Sequence, residues 1–335
     1  EDWSIKELEK VIYLAGEMKK YPKEKKWSNL LNGNTFLLLF HNPSLRTHLS
    51  FETAVTQLGG HPSFRTPQMG WIKTSNKITS GESLKDAAKV MSRYVDGIGI
   101  RIIMDAVSYY GMGSQVLREY AKWATVPIIN MADDTYHPCQ GLADLQGWAE
   151  WYGQGNPELS QLRGKKILIT WAKSGLARPW SSVQSHILLA SRFGMHVTLA
   201  YPKGYELDNK IINKAKQYSE AQRTEFRIVN DPEIGYEDAH VVYVRNWVTK
   251  DAYQNGCFNY QGEVKKSLLQ EDWITTTERM SKTNNAIFAN PMPVDRDVEA
   301  VNQVIDSPNS VIYEVAENRL HIQKALLALM LGDSK

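Results

Sequence analysis

Thr35-Phe-Leu-Leu-Leu-Phe40, then His41-Asn-Pro43, then Ser44-Leu-Arg-Thr-His-Leu-Ser-Phe51 is the stretch on which the reading of this chain turns. Its first part is an apolar run without alternation, bounded by Gly33-Asn34 and Asn42-Pro43, which predicts a buried strand. Ser44 stands where a helix cap belongs, and Leu49, Ala54, Val55 and Leu58 continue at helical spacing up to Gly59-Gly60. A strand that feeds a helix opening with Ser, Arg and Thr is an anion site on elementary grounds. The first N–H groups of the helix lack partners, its dipole favours negative charge, and hydroxyls and a guanidinium add charge-assisted bonds. Ser44 also has a purely structural use as a cap, and Arg46 as a solvated side chain. This stretch alone does not separate the two.

Outward from it, the strand-and-helix rhythm repeats. A helical pattern covers Ser4 to Lys20, followed after the first strand and helix by a helix from Glu82 to Val95 and a strand from Gly97 to Ile103. Next come a helix from about Gln115 to Ala124, a strand from Val126 to Asn130, and a helix after His137 through Leu142, Leu145 and Trp148. The second half predicts strands at Lys166–Trp171, Val197–Tyr201, Glu225–Val229, His240–Val244 and Ala286–Ala289. Helices are predicted at Ser182–Phe193, Asp208–Glu220 and Glu317–Leu331. Such alternation means crossover units, so the fold class is α/β with two doubly wound parallel-sheet domains. A length of 335 residues suits two domains. The segment Trp151 to Arg163, with Tyr152-Gly-Gln-Gly-Asn-Pro157, is the expected boundary, giving domains of 1–150 and 151–335.

Composition removes several function classes. Lys and Arg number 39 against 37 Asp and Glu, a formal charge of +2, so charge offers no argument for nucleic acid. Apolar runs such as Phe36 to Phe40 fall far short of the roughly 20 residues of a membrane span. Cys139 and Cys257 make no disulfide framework, and no Cys/His spacing resembles a zinc site. A polar start, Glu1-Asp2-Trp3-Ser4, and these cysteines read most simply as a reducing, cytoplasmic setting.

Ligands of open α/β sheets sit at the carboxyl ends of the strands, which directs attention to the residues just beyond each strand. Arg101 ends an apolar strand where an unpaired cation is expensive to bury; a bound anion or an ion pair resolves that cost. His137 comes after the next strand, in Tyr136-His-Pro-Cys-Gln140, and Gln140 stands one helical turn on. A lone histidine is more often structural than catalytic.

Ser44-Leu-Arg-Thr47, Gly99-Ile-Arg101 and His137-Pro-Cys-Gln140 together resemble the carbamoyltransferase family, which includes the aspartate and ornithine enzymes. The resemblance extends over nearly the whole chain. It continues through Ser307-Pro-Asn-Ser310 and Glu317-Asn-Arg-Leu-His-Ile-Gln-Lys-Ala-Leu326, which looks like the ornithine-type C-terminus. It implies a carbamoyl phosphate site made of Ser44, Leu45, Arg46, Thr47, Arg101, His137, Gln140 and Arg319, with Thr47, Arg101 and His137 in the catalytic role. For Arg319 a structural ion pair with Glu317 or another acid is the rival reading. The family needs no metal or organic cofactor. Its members are homotrimers in which a loop from one subunit completes its neighbour's site; the matching segment here is Gln68 to Lys77, with Trp71 as the shared residue.

The acceptor half departs from the ornithine pattern. An Asp and a Ser-Met-Gly segment are replaced by Tyr243-Val-Arg-Asn-Trp247, and a His-Cys-Leu-Pro segment by Asn290-Pro-Met-Pro293. Arg245-Asn-Trp247 and Thr170-Trp-Ala-Lys-Ser-Gly-Leu-Ala-Arg-Pro-Trp180 resemble instead the N-acetylornithine and N-succinylornithine branch, which threads a loop here into a knot. A related group of unassigned knotted carbamoyltransferases fits the loop about as well. Arg178, Arg245, Lys173, Trp247 and Met292 are the expected acceptor contacts, for a small carboxylate-bearing amine. His48 replaces the second arginine of the family's Ser-x-Arg-Thr-Arg, Asn290 replaces a histidine, and Glu299 replaces a lysine. An N-acylated ornithine is the first choice of acceptor. Aspartate, an unassigned amine, or a catalytically silent anion-binding homologue are the alternatives.

Overall fold

The computed structural model describes residues 2–67 and 81–332, and the chain divides into two compact units. One comprises Lys6–Cys139, Asn255–Phe258 and Asn318–Lys335; the other comprises Glu1–Ile5, Gln140–Gln254 and Asn259–Glu317.

The first unit is built on α1 (Ile5–Lys20), β1 (Thr35–Phe40), α2 (Leu45–Gln57), β2 (His61–Arg65), α3 (Leu84–Met91), β3 (Gly97–Ile102), α4 (Met112–Trp123) and β4 (Ile128–Asp133). Its four strands pair in parallel in the order β2-β1-β3-β4. Parallel pairing needs helical crossovers and buries the central strands on both faces. That is why β1 is an unbroken apolar run and why Phe36, Leu38, Ile98 and Ile100 are buried. Gly99 permits the packing: a Cβ there would lie 2.9 Å from Met131 Sδ and 3.0 Å from the Phe36 ring. The sequence pattern matches β1 and places β3 to within a residue, but gives no sign of β2. His61-Pro-Ser-Phe-Arg65 lacks alternation, and Pro62 is tolerable because β2 is an edge strand that pairs with β1 alone.

The second unit takes α5 (Pro138–Tyr152) from Gln140 onward, then β5 (Lys166–Trp171), α6 (Ser181–Arg192), β6 (His196–Ala200), α7 (Asn209–Gln222), β7 (Phe226–Val229) and β8 (Val241–Arg245). After the two-residue strands β9 (Tyr253–Gln254) and β10 (Cys257–Phe258), the latter counted with the first unit, come α8 (Tyr260–Leu268), α9 (Thr277–Ser281), β11 (Ile287–Ala289), α10 (Asn302–Ile305) and α11 (Ile312–Leu331). Its sheet is parallel throughout, in the order β11-β8-β5-β6-β7. Each unit is therefore a parallel α/β sheet, as the alternation of elements predicts. The last helix, like α5, is divided between the units: Ile312–Glu317 belongs to the second and Asn318 onward to the first. No helix among the described residues is long and apolar enough to cross a membrane.

Candidate active site

Ser44 caps α2 in extended backbone (φ −162°, ψ 110°), its Oγ accepting from the Thr47 N–H at 3.3 Å. It is thus a cap and, by the same geometry, the lip of the helix N-terminus. Thr47 is wholly buried, and its Oγ1 accepts from Ser44 Oγ at 3.0 Å and from Arg319 Nη2 at 2.7 Å. A hydroxyl with both lone pairs engaged retains its proton to donate, so Thr47 is arranged as a donor to an anionic or carbonyl oxygen. The first turn of α2 carries no acid. Arg46 is half-buried on that turn, while Leu45 beside it is exposed. Arg319 reaches Thr47 because α11 is tied down within the same unit: Lys19 Nζ donates to Asn318 at 2.7 Å and Lys324 Nζ to Gln57 at 3.1 Å. His48 packs its ring on Phe64 (4.4 Å between centroids) and near Phe40 (5.5 Å).

Arg101 comes to the same sheet edge because β3 pairs with β1 so that Phe40 faces Arg101, with the His41 N–H donating to Arg101 O at 2.9 Å. The pairing of β3 with β4 shifts register between Ile100 and Arg101, and the Arg101 side chain is largely buried. Asn42 joins the two strand exits, accepting from the Ile103 N–H at 2.7 Å and donating to Asp105. Burial pushes the pKa of neighbouring His41 down to about 3, so it is neutral and adds no charge here.

His137 comes after a turn that Asp133 builds. Asp133 Oδ1 accepts from the N–H groups of Thr135 (2.7 Å) and Tyr136 (2.5 Å), and Oδ2 from Ser114 Oγ (2.8 Å) and Asn130 Nδ2 (2.9 Å). Next to it Asp134 accepts from the Gly111 N–H at 2.6 Å; burial, then the charge of Asp133, pushes its pKa up to about 7. Gly113 makes room for this carboxylate, since a Cβ there would stand 2.6 Å from Asp134 Oδ1. Cys139 is buried, and burial, partly opposed by the charge of Arg319, pushes its thiol up to about 12, so it is no nucleophile. Trp71 and the rest of the Gln68 to Lys77 loop lie outside the described residues.

In the second unit Gln140, 2% exposed, donates through Nε2 to both oxygens of Asp144, at 3.0 and 3.1 Å. Asp144 in turn is 2.6 Å from His186 Nε2. Sequence reasoning missed both partners. The available signal was an acid at i+4 from Gln140 inside a largely apolar helix.

The expected acceptor residues all lie in the second unit. Arg245 ends β8 and is largely buried, and Lys173 is half-buried just beyond β5, its N–H donating to Trp273 O at 2.9 Å. Arg178 and Trp247 make hydrogen bonds within the unit. Arg178, 4% exposed, forms an ion pair with the fully buried Glu299 and donates to Ser174 Oγ and Pro293 O at 2.8 Å each. Glu299 Oε2 accepts from Asn290 Nδ2 at 3.0 Å and from the Asp295 N–H at 3.2 Å. Asn290 and Glu299, two of the departures seen in the sequence, are therefore bonded to each other. Trp247 is fully buried, its indole N–H donating to Tyr205 O at 2.8 Å. Met292, half-buried, is held through its N–H, which donates to Asn290 Oδ1 at 2.7 Å.

Comparison with known proteins identifies the family. Residues 1–150 match the carbamoyl-P binding domain of the aspartate/ornithine carbamoyltransferases, and residues 180–330 match their Asp/Orn binding domain. N-acetylornithine carbamoyltransferase of Xanthomonas campestris pv. campestris is 34% identical over 343 residues, covering 100% of this chain and 97% of that protein. Ornithine carbamoyltransferase of Thermococcus kodakarensis is 32% identical over 335 residues, covering 100% and 96%. Among solved structures, acetylornithine transcarbamylase complexed with acetylcitrulline superposes with a TM-score of 0.87 at 34% identity, covering 98% of this chain and 97% of that one. A mutant of N-acetyl-L-ornithine transcarbamylase complexed with carbamyl phosphate and N-succinyl-L-norvaline gives the same TM-score, identity and coverage. With both halves matched and relatives aligned end to end, the chain belongs to the aspartate/ornithine carbamoyltransferase family.

Proposed function

We propose that the chain transfers the carbamoyl group of carbamoyl phosphate to the amine of an N-acylated ornithine. The observation that carries the reading is the buried Thr47 hydroxyl, loaded by Ser44 and Arg319 at the start of an acid-free helix turn. Relatives and solved neighbours named for N-acetylornithine support the acceptor.

In this reading the domain of residues 1–150 holds carbamoyl phosphate and that of 151–335 holds the acceptor, with α11 returning to the first. Ser44, Leu45, Arg46, Thr47 and Arg101 take the phosphate; Thr47, Arg101, His137, Gln140 and Arg319 take the carbamoyl group. The acceptor nitrogen forms its bond to the carbamoyl carbon, and the carbonyl oxygen becomes an oxyanion. That charge is met by Thr47, Arg101 and His137, donors of a kind whose loss costs about 3 kcal/mol of barrier. The C–O bond then breaks, and inorganic phosphate leaves with the amine's proton. Holding two reactants in line supplies much of the remaining acceleration. Arg245 and Lys173 are the cations for the acceptor's carboxylate, while Arg178 shapes the Met292 loop through Pro293 O, and the buried Trp247 is anchored to Tyr205 O. The working form is a cytoplasmic homotrimer with Trp71 crossing to the neighbour and the loop around Pro179 threaded into a knot; no metal or cofactor takes part.

The test is ureido-product formation, detected by mass spectrometry, from carbamoyl phosphate with N-acetylornithine, N-succinylornithine, ornithine, aspartate and putrescine. Turnover with an N-acylated ornithine is expected. Turnover with another acceptor alone overturns the acceptor assignment, and no product from any acceptor overturns the enzymatic reading.

A further inference from the structure

We propose that Asp144 and His186 are positioning residues that decide which end of the Gln140 amide is presented to the carbamoyl donor, and so let the protein recognise the donor's –NH2 group. The inference rests on the reading of Gln140 as a contact of the carbamoyl group.

An ionised carboxylate only accepts hydrogen bonds, so the amide end that faces both Asp144 oxygens, at 3.0 and 3.1 Å, is the NH2 end. Oε1 is thereby turned the other way, and it accepts no hydrogen bond from any described residue. Asp144 is wholly buried, and a buried carboxylate persists only with partners. His186 provides one through Nε2 at 2.6 Å. The other ring nitrogen, Nδ1, meets the carbonyl of Ser182, which only accepts, so Nδ1 carries a proton and a flipped ring would lose both contacts. Packing fixes the ring further, stacked on Tyr243 (4.1 Å between centroids, 27° between planes) and beside Trp148 (5.6 Å). Orientation is thus passed from the α6 backbone through His186 and Asp144 to Gln140, all within one unit.

An acceptor oxygen held in this way distinguishes carbamoyl phosphate from acetyl phosphate, which has a methyl group where the other has –NH2. A site built to hydrogen-bond a substrate NH rejects the analogue lacking it. Asn in place of Asp144 can donate to Gln140 Oε1, which turns the amide round.

The experiment is calorimetric titration of the full chain with carbamoyl phosphate, acetyl phosphate and inorganic phosphate, for the unaltered protein, Asp144→Asn, His186→Gln and Gln140→Met. The expected result is a preference for carbamoyl over acetyl phosphate of about tenfold or more in the unaltered protein. That preference should shrink to that of Gln140→Met in Asp144→Asn, and part of the way in His186→Gln, with inorganic phosphate bound as before. A preference that survives in folded Asp144→Asn overturns the proposal, as does an equal loss for all three ligands. If Asp144→Asn does not fold, His186→Gln, which keeps a donor for Asp144, decides by the same criteria. An unaltered protein that binds both donors alike overturns this inference alone, whereas one that binds neither overturns the carbamoyl phosphate reading and this inference with it.

Discussion

At the start of α2 a buried threonine accepts from a serine and an arginine, and no acid stands in the helix's first turn. In the loops after β5 and β11 a buried arginine is instead closed onto Glu299, itself held by Asn290 and the Asp295 N–H. Both places lie beyond the carboxyl ends of parallel strands, where ligands of such sheets bind. The difference lies in the group that the fold brings to each arginine: the Thr47 hydroxyl to Arg319, and the Glu299 carboxylate to Arg178. The buried carboxylate of Glu299 makes the loop cluster a fixed part of the wall of its unit.

The sharpest way to break this contrast is to remove one arginine from each region. Arg46→Ala should weaken carbamoyl phosphate binding at least about 100-fold, since charge-assisted contacts to phosphate are among the strong ones. Arg178→Met should leave that affinity within a few-fold; calorimetry on both variants checks the pair, and equal losses would erase the distinction. Stability should move the other way. Glu299→Gln leaves the buried Arg178 guanidinium without its carboxylate and should cost about 3 kcal/mol in urea unfolding, most of it recovered when Arg178→Met is added.

A pH test sharpens the picture of the first unit. Asp134, raised from 3.8 to about 7, holds a proton in the native state that the unfolded chain has lost, so its stabilising share is present below pH 3.8 and lost as pH rises through about 7. His41, lowered from 6.5 to about 3, works oppositely: its share is present above pH 6.5 and lost as pH falls toward 3. Relative to the unaltered protein, Asp134→Asn should gain stability between pH 4 and pH 7. His41→Asn should lose relative stability over the same rise in pH. Urea midpoints at pH 4.5 and 7.5 measure both. The smallest effect expected is that of Ser44→Ala, about 1 kcal/mol of stability for a lost cap, read from the same unfolding curves.

Much of the fold was legible because parallel sheets write plainly: β1 and β5 are apolar runs, and both appear at the expected residues. Elements that do not write plainly were missed. β2 is a polar edge strand containing a proline, and α8, Tyr-Gln-Gly-Glu-Val-Lys-Lys-Ser-Leu, has only a weak apolar stripe. β4 runs on to Asp133, beyond its expected end at Asn130, because Asp133 is held by the turn and by Ser114 rather than by its own strand propensity. In the site, the motif at Ser44 to Thr47 could be read directly, since its residues are neighbours in sequence. The engagement of Arg178 could not, because Glu299 lies 121 positions away.

The sequence by itself determined the α/β class, the anion-ready helix start after β1, and the family to which the chain belongs. Each of these depends on residues close together in the chain or on an ordered set of short motifs. Tertiary structure alone decided the pairing of Arg178 with Glu299, the bond from Arg319 to Thr47, and the chain of contacts from His186 through Asp144 to Gln140. A buried polar group takes whichever partner the packing brings within about 3 Å, and that choice is made in space, across hundreds of residues of chain.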